Sequence, residues 1–77
     1  MLIVMSKHLY SREYQGVLRK LRRARADSGL SQEKVAQRIG LPQSFVSKIE
    51  RGERRVDVVE LNEFARLYNK SVDYFVR

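Results

Sequence analysis

The sequence predicts an all-α fold, a compact bundle of five helices around one core. Apolar residues recur three and four positions apart along most of the chain, and no segment alternates like a half-buried strand. Serine and aspartate at helix starts, and glycine at helix ends, cut these stripes into short segments. A length of 77 residues admits one domain and no more. With no cysteine to cross-link it, so small a body depends on how well its core is organised. Residues 11–77 are expected to form the domain and residues 1–10 an N-terminal extension. Met5-Ser6-Lys7 would itself make a start, so Met1–Val4 is either an upstream extension or a tail.

The first helix is expected from Ser11 to about Ser28, with Tyr14, Val17, Leu18, Leu21 and Ala24 as its apolar stripe. Ser11 caps its start and Gly29 supplies the left-handed residue that ends it. Ser31 opens a second helix, Gln32–Ile39, with Val35, Ala36 and Ile39 on its buried face and Gly40 as its stop. Pro42 suits the first turn of a third helix, Gln43 to about Arg51, because its missing N–H has no partner there. Val46 and Ile49 face its core side, and Gly52 ends it. Asp57 with Glu60 forms a capping box for a fourth helix bearing Leu61, Phe64, Ala65 and Tyr68. Asn69-Lys70 breaks that helix. Ser71 caps a short fifth with Val72, Phe75 and Val76. Leu67 and Tyr74 fall off the main stripes, as a dimer contact or as isolated exposed apolars.

Charge points to the class of partner. Sixteen Lys and Arg against nine Asp and Glu leave +7, which favours a polyanion over an acidic-substrate enzyme. The surplus is uneven: seven basic residues against two acidic in 1–30, four against two in 31–52, and five against five in 53–77. The polyanion-facing side is therefore expected from the first two thirds of the chain. Arg19–Arg25 could instead be a solvated helix face. With one histidine and no cysteine, a multi-His or thiolate metal site has nothing to be built from, and no cofactor is expected. His8 is expected to be inert. No stretch approaches the ~20 apolar residues of a membrane helix, and the run Met1–Met5 is too short for a signal-peptide core. The protein is expected to be cytoplasmic.

Two short helices joined by Gly40-Leu41-Pro42 must cross steeply, as in a helix-turn-helix spanning about residues 32–51. Ala36 allows a close approach and Gly40 takes positive φ without strain. With Val46 and Ile49 turned to the core, Gln43, Ser44, Ser47 and Lys48 face outward. That short, polar face suits the floor of a major groove, where glutamine pairs with adenine and lysine with guanine acceptors. Ordinary solvated helices carry more Glu and Lys.

The string Gly29-Leu30-Ser31-Gln32-Glu33-Lys34-Val35-Ala36, followed by Gly40-Leu41-Pro42-Gln43-Ser44-Phe45-Val46-Ser47-Lys48-Ile49-Glu50-Arg51-Gly52-Glu53-Arg54, carries a specific resemblance. Residues 12–76 resemble the lambda-repressor-like DNA-binding domain shared by Cro, the phage repressors and the XRE family of bacterial regulators. The resemblance implies that Gln32 binds DNA phosphate and that Gln43, Ser44 and Lys48, with Ser47 beside them, touch base edges. It places Arg51, Arg54 and Arg55 in the segment that grips the DNA backbone, and pairs Arg25 with Glu50 as a structural ion pair. Pro42 stands where many relatives have a phosphate-touching serine or threonine, so that contact is unsupported here. Phe45 either presses on a thymine methyl or a sugar, or packs sideways onto Val35 or Leu41.

The function expected is a sequence-specific transcriptional regulator, a repressor, that binds double-stranded DNA as a homodimer on a pseudo-palindromic operator. Its dimer contacts are expected from Leu67, Tyr74 and Val76. The alternative is an antitoxin or other protein-interaction module, which would need a large exposed apolar patch on helices four and five. An enzyme is disfavoured, since no paired carboxylates, activated nucleophile or phosphate-cradling glycine loop appears. Membrane-surface binding lacks the bulky apolar belt it would need opposite the arginines of the first helix.

Overall fold

The computed structural model describes residues 11–77; the readings on His8 and residues 1–10 lie outside them. The described chain holds five helices: α1 Arg12–Asp27, α2 Gln32–Ile39, α3 Gln43–Glu50, α4 Val58–Leu67 and α5 Val72–Val76. No strand occurs among the described residues, and none of their helices is long and apolar enough to cross a membrane.

Local chemistry fixes the boundaries. Ser11 accepts from the Tyr14 amide at 3.0 Å and Ser31 from the Lys34 amide at 3.1 Å, so α1 and α2 begin at side-chain caps. At α4 the Asp57 carboxylate accepts from the Glu60 amide at 2.8 Å while the Glu60 side chain accepts from the Asp57 amide at 3.0 Å. Gly40 adopts φ 75°, and the Leu41 amide turns back to the Ala36 carbonyl at 2.9 Å. That left-handed residue lets α2 stop and α3 begin within three residues.

Fourteen buried apolar side chains form one cluster, with contributions from every helix. Val35, Val46 and Ile49 are fully enclosed where α2 and α3 meet, and Leu18, Leu21 and Phe75 are nearly so. Burying a side chain of this size stabilises by roughly 1.5–3 kcal/mol. α1 is the spine: it packs against α3 on one side and α5 on the other. The Tyr14 hydroxyl also accepts from the Val56 amide at 3.0 Å, tying the segment after α3 to the first helix.

Four expectations are corrected. Pro42 is the N-cap of α3, just ahead of its first turn: its ψ of 150° is extended, and the cap has no side-chain hydrogen bond because the proline ring carries no acceptor. Ser71 occupies the N-cap of α5 without making a cap bond. Leu67 and Tyr74 are not isolated exposed apolars but pack half-buried against the core. Ile39, expected inside, is only half-buried at the end of α2.

Candidate nucleic-acid interface

Helix α3 presents one face outward and seals the other. Val46 and Ile49 are 0% exposed, while Gln43, Ser44 and Lys48 are exposed and Ser47 is half-buried. Their side chains carry donors and acceptors of both kinds, which is what distinguishing base edges requires.

The orientation of α3 is set from α1. Arg25 donates to the buried Glu50 carboxylate twice, from Nε at 2.8 Å and from Nη2 at 3.1 Å, and from Nη1 to the Leu30 carbonyl at 3.0 Å. The bond to Glu50 holds the Arg25 guanidinium above its ordinary pKa, with partial burial acting the other way. One turn earlier on α1, Arg22 donates to the Glu50 main-chain carbonyl at 2.7 Å. It thereby satisfies an orphan acceptor at the C-terminal end of α3, where positive charge is favoured. Sequence reasoning missed Arg22. Its signal was the i,i+3 spacing to Arg25, which puts both arginines on one face of α1.

The residues expected at phosphates divide into held and free. Gln32 sits at the start of α2, and its Nε2 donates to Glu50 Oε1 at 2.9 Å. Arg51 is exposed and donates to Glu53 at 2.9 and 3.1 Å and to the Ser47 hydroxyl. Its partnership raises the Arg51 pKa and lowers that of Glu53. Arg54 donates to Glu60 at 3.2 and 3.3 Å and lies over the Phe45 ring, 4.0 Å from its centroid. Phe45 thus packs half-buried beneath a guanidinium, joining the first turn of α3 to the segment that follows it. Arg55 is exposed, and its side chain has no hydrogen-bond partner among the described residues.

The basic run on α1 is likewise not one face. Arg22 and Arg25 turn inward to Glu50, while Arg23 pairs at the surface with Asp27 at 3.7 Å, a contact worth little. The three residues expected at a dimer contact also separate. Leu67 lines a hollow with Arg38, Ile39, Glu63 and Arg66. Tyr74 lies edge-on to Phe75 with Lys20 and Lys70 near its ring. Val76, 56% exposed, borders a different groove of about 310 Å³ with Tyr14, Val17, Val58 and Leu61. Among the described residues no group of His, Cys, Asp and Glu is placed to hold a metal ion.

A pair of short helices joined by a three-residue turn, the second sealed by Val46 and Ile49 and offering a polar outer face, defines a helix-turn-helix domain. A helix-turn-helix family profile of the XRE type matches residues 21–75, from the middle of α1 into α5. The chain belongs to that family, whose members are DNA-binding regulatory domains. Neither a curated protein nor a solved structure gives a significant match to this chain.

Proposed function

We propose that the protein is a sequence-specific DNA-binding repressor that acts as a homodimer in the cytoplasm. The observation that carries this reading is the outer face of α3: Gln43, Ser44 and Lys48 stand exposed on a helix whose opposite face is fully enclosed. Laid in a major groove, these side chains reach base edges, with Ser47 at the side of the face. Phosphate contacts come from Gln32 and from Arg51, Arg54 and Arg55 on the segment after α3. Arg55 is the most available of the three arginines, since Arg51 and Arg54 first give up Glu53 and Glu60. The net charge of +7 adds a sequence-independent attraction to any duplex.

One domain offers a modest interface with DNA, so a dimer supplies both affinity and half-site spacing, ~34–36 Å between centres. We place the dimer contact at the groove beside Val76, where Val58 is 71% exposed. Glu13, Asp57 and Arg55 also border this groove, so its rim carries both charge signs. A second copy related by a two-fold axis can match opposite charges across it.

The test is selection from a random duplex pool at two salt concentrations, followed by sequencing. A two-fold-symmetric site with a steep salt dependence is expected. Lys48→Ala and Gln43→Ala should then relax preference at single base positions by ~1–3 kcal/mol. Equal loss on every sequence would remove base reading. Salt-sensitive retention with no enriched sequence would bring the protein-interaction reading to the front.

A further inference from the structure

We infer that Glu50 is a positioning residue for the phosphate contact of Gln32, with Arg25 cancelling the charge that would otherwise repel the phosphate. The inference rests on the DNA-binding reading above and deepens it. Glu50 is 4% exposed and lies 18 positions from Gln32 in sequence, yet its Oε1 accepts from Gln32 Nε2 at 2.9 Å.

The chemistry of that bond fixes which way the Gln32 amide points. A carboxylate only accepts, so it must face the NH₂ end of the amide and not the carbonyl end. One N–H is consumed by Glu50 and the second remains available. A phosphate oxygen also only accepts. The amide is therefore held with its NH₂ end ready, and the rotamer that would turn its carbonyl oxygen toward a phosphate is disfavoured. Preorganisation of this kind lowers the ordering cost of binding.

A bare carboxylate beside a phosphate would oppose the same contact. Arg25 removes that opposition, because its Nε and Nη2 bind both Glu50 oxygens and leave the pair neutral. Its Nη1 holds the Leu30 carbonyl, just ahead of the Ser31 cap that starts α2. Arg25 and Glu50 so link α1, the lead-in to α2, Gln32 and the end of α3. A purely structural ion pair would have no need of the link to Gln32.

The experiment is a double-mutant cycle in binding to a random-sequence duplex at low salt, since a phosphate contact is blind to sequence. Gln32→Ala is combined with Glu50→Met and Glu50→Ala, neither of which offers Gln32 an oxygen acceptor, and circular dichroism verifies that each protein is folded at the assay temperature. Should Glu50→Ala fail to fold, Glu50→Met carries the cycle. In the wild-type background Gln32→Ala should weaken binding about tenfold, the scale of one charge-assisted hydrogen bond. In either Glu50 background the same change should cost less than about twofold, because an unheld glutamine contributes little. A loss of stability alone cannot produce that contraction. An undiminished tenfold cost overturns the inference. If the wild-type chain binds and Gln32→Ala has no effect, the inference falls while the DNA-binding reading stands. If the wild-type chain does not bind duplex at all, the reading itself falls and takes the inference with it.

Discussion

At Tyr68 the core holds a polar group it does not satisfy. The residue is 4% exposed, and its hydroxyl has no hydrogen-bond partner among the described residues. Burial is the main reason its pKa stands well above the usual phenol range; the Glu50 charge adds to the rise and Arg25 opposes it. Because the folded pKa exceeds the unfolded one, the unfolded chain releases this proton first, at about pH 10. Stability linked to Tyr68 is therefore intact below about pH 10 and is lost as pH rises above it, at up to ~1.4 kcal/mol per pH unit. Tyr68→Phe should flatten that decline in urea unfolding between neutral and alkaline pH. At neutral pH it should leave stability unchanged or raise it by up to about 1 kcal/mol, since an orphaned buried hydroxyl costs ~1–3 kcal/mol. A clear loss of stability at neutral pH would mean the hydroxyl has a partner. The sequence places Tyr68 on the apolar stripe of α4 but is silent on its hydroxyl. Residue patterns show which face a side chain occupies. They do not show which atoms it meets across the core.

The same division runs through the elements. The α2 span and the Asp57–Glu60 box are legible because their signals are local, a cap residue and its partner within one turn. The bonds from Gln32 and Arg22 to Glu50 are not, because they join residues 18 and 28 positions apart. Gly52 lies between these cases. Its position predicts the end of α3, and the structure adds φ 80° and the proximity of α1: a Cβ there would meet Leu18 Cδ1 at 3.2 Å. Gly29 has φ 70° with open space around it. Gly29→Ala should therefore cost only the left-handed backbone penalty of ~1–2 kcal/mol. Gly52→Ala should cost that and more, because Leu18 is core and cannot swing out to solvent. With ~4–8 °C in Tm per kcal/mol for a domain of this size, thermal melting separates the two. Equal losses would show that α1 yields at Leu18 without cost.

On the scale of the whole molecule, the proposed base-reading face and the proposed dimer groove lie on different helices, with Arg55 on the rim of the groove. The exposed side chains proposed to read bases belong to α3, whereas Val58 of α4 and Val76 of α5 border the groove against α1. Mutations at one surface should therefore be separable from those at the other. Val58 is the best probe, being 71% exposed and the first residue of α4. A glutamate there faces a helix N-terminus, where negative charge is favoured by ~0.3–1 kcal/mol, so the monomer fold should keep its stability. In a two-fold dimer through the groove, the same glutamate is buried against apolar surface, and two copies introduce two such charges. On the proposed dimer reading, sedimentation equilibrium is expected to give a dimer for the wild type and a folded monomer for Val58→Glu at the same concentration. Its affinity for an isolated half-site should match the wild type, while its affinity for the full operator should fall by roughly 10²–10⁴, the advantage of linked sites. Dimers that persist in Val58→Glu would move the contact elsewhere, with the hollow at Leu67, Ile39 and Arg66 as the next surface to substitute.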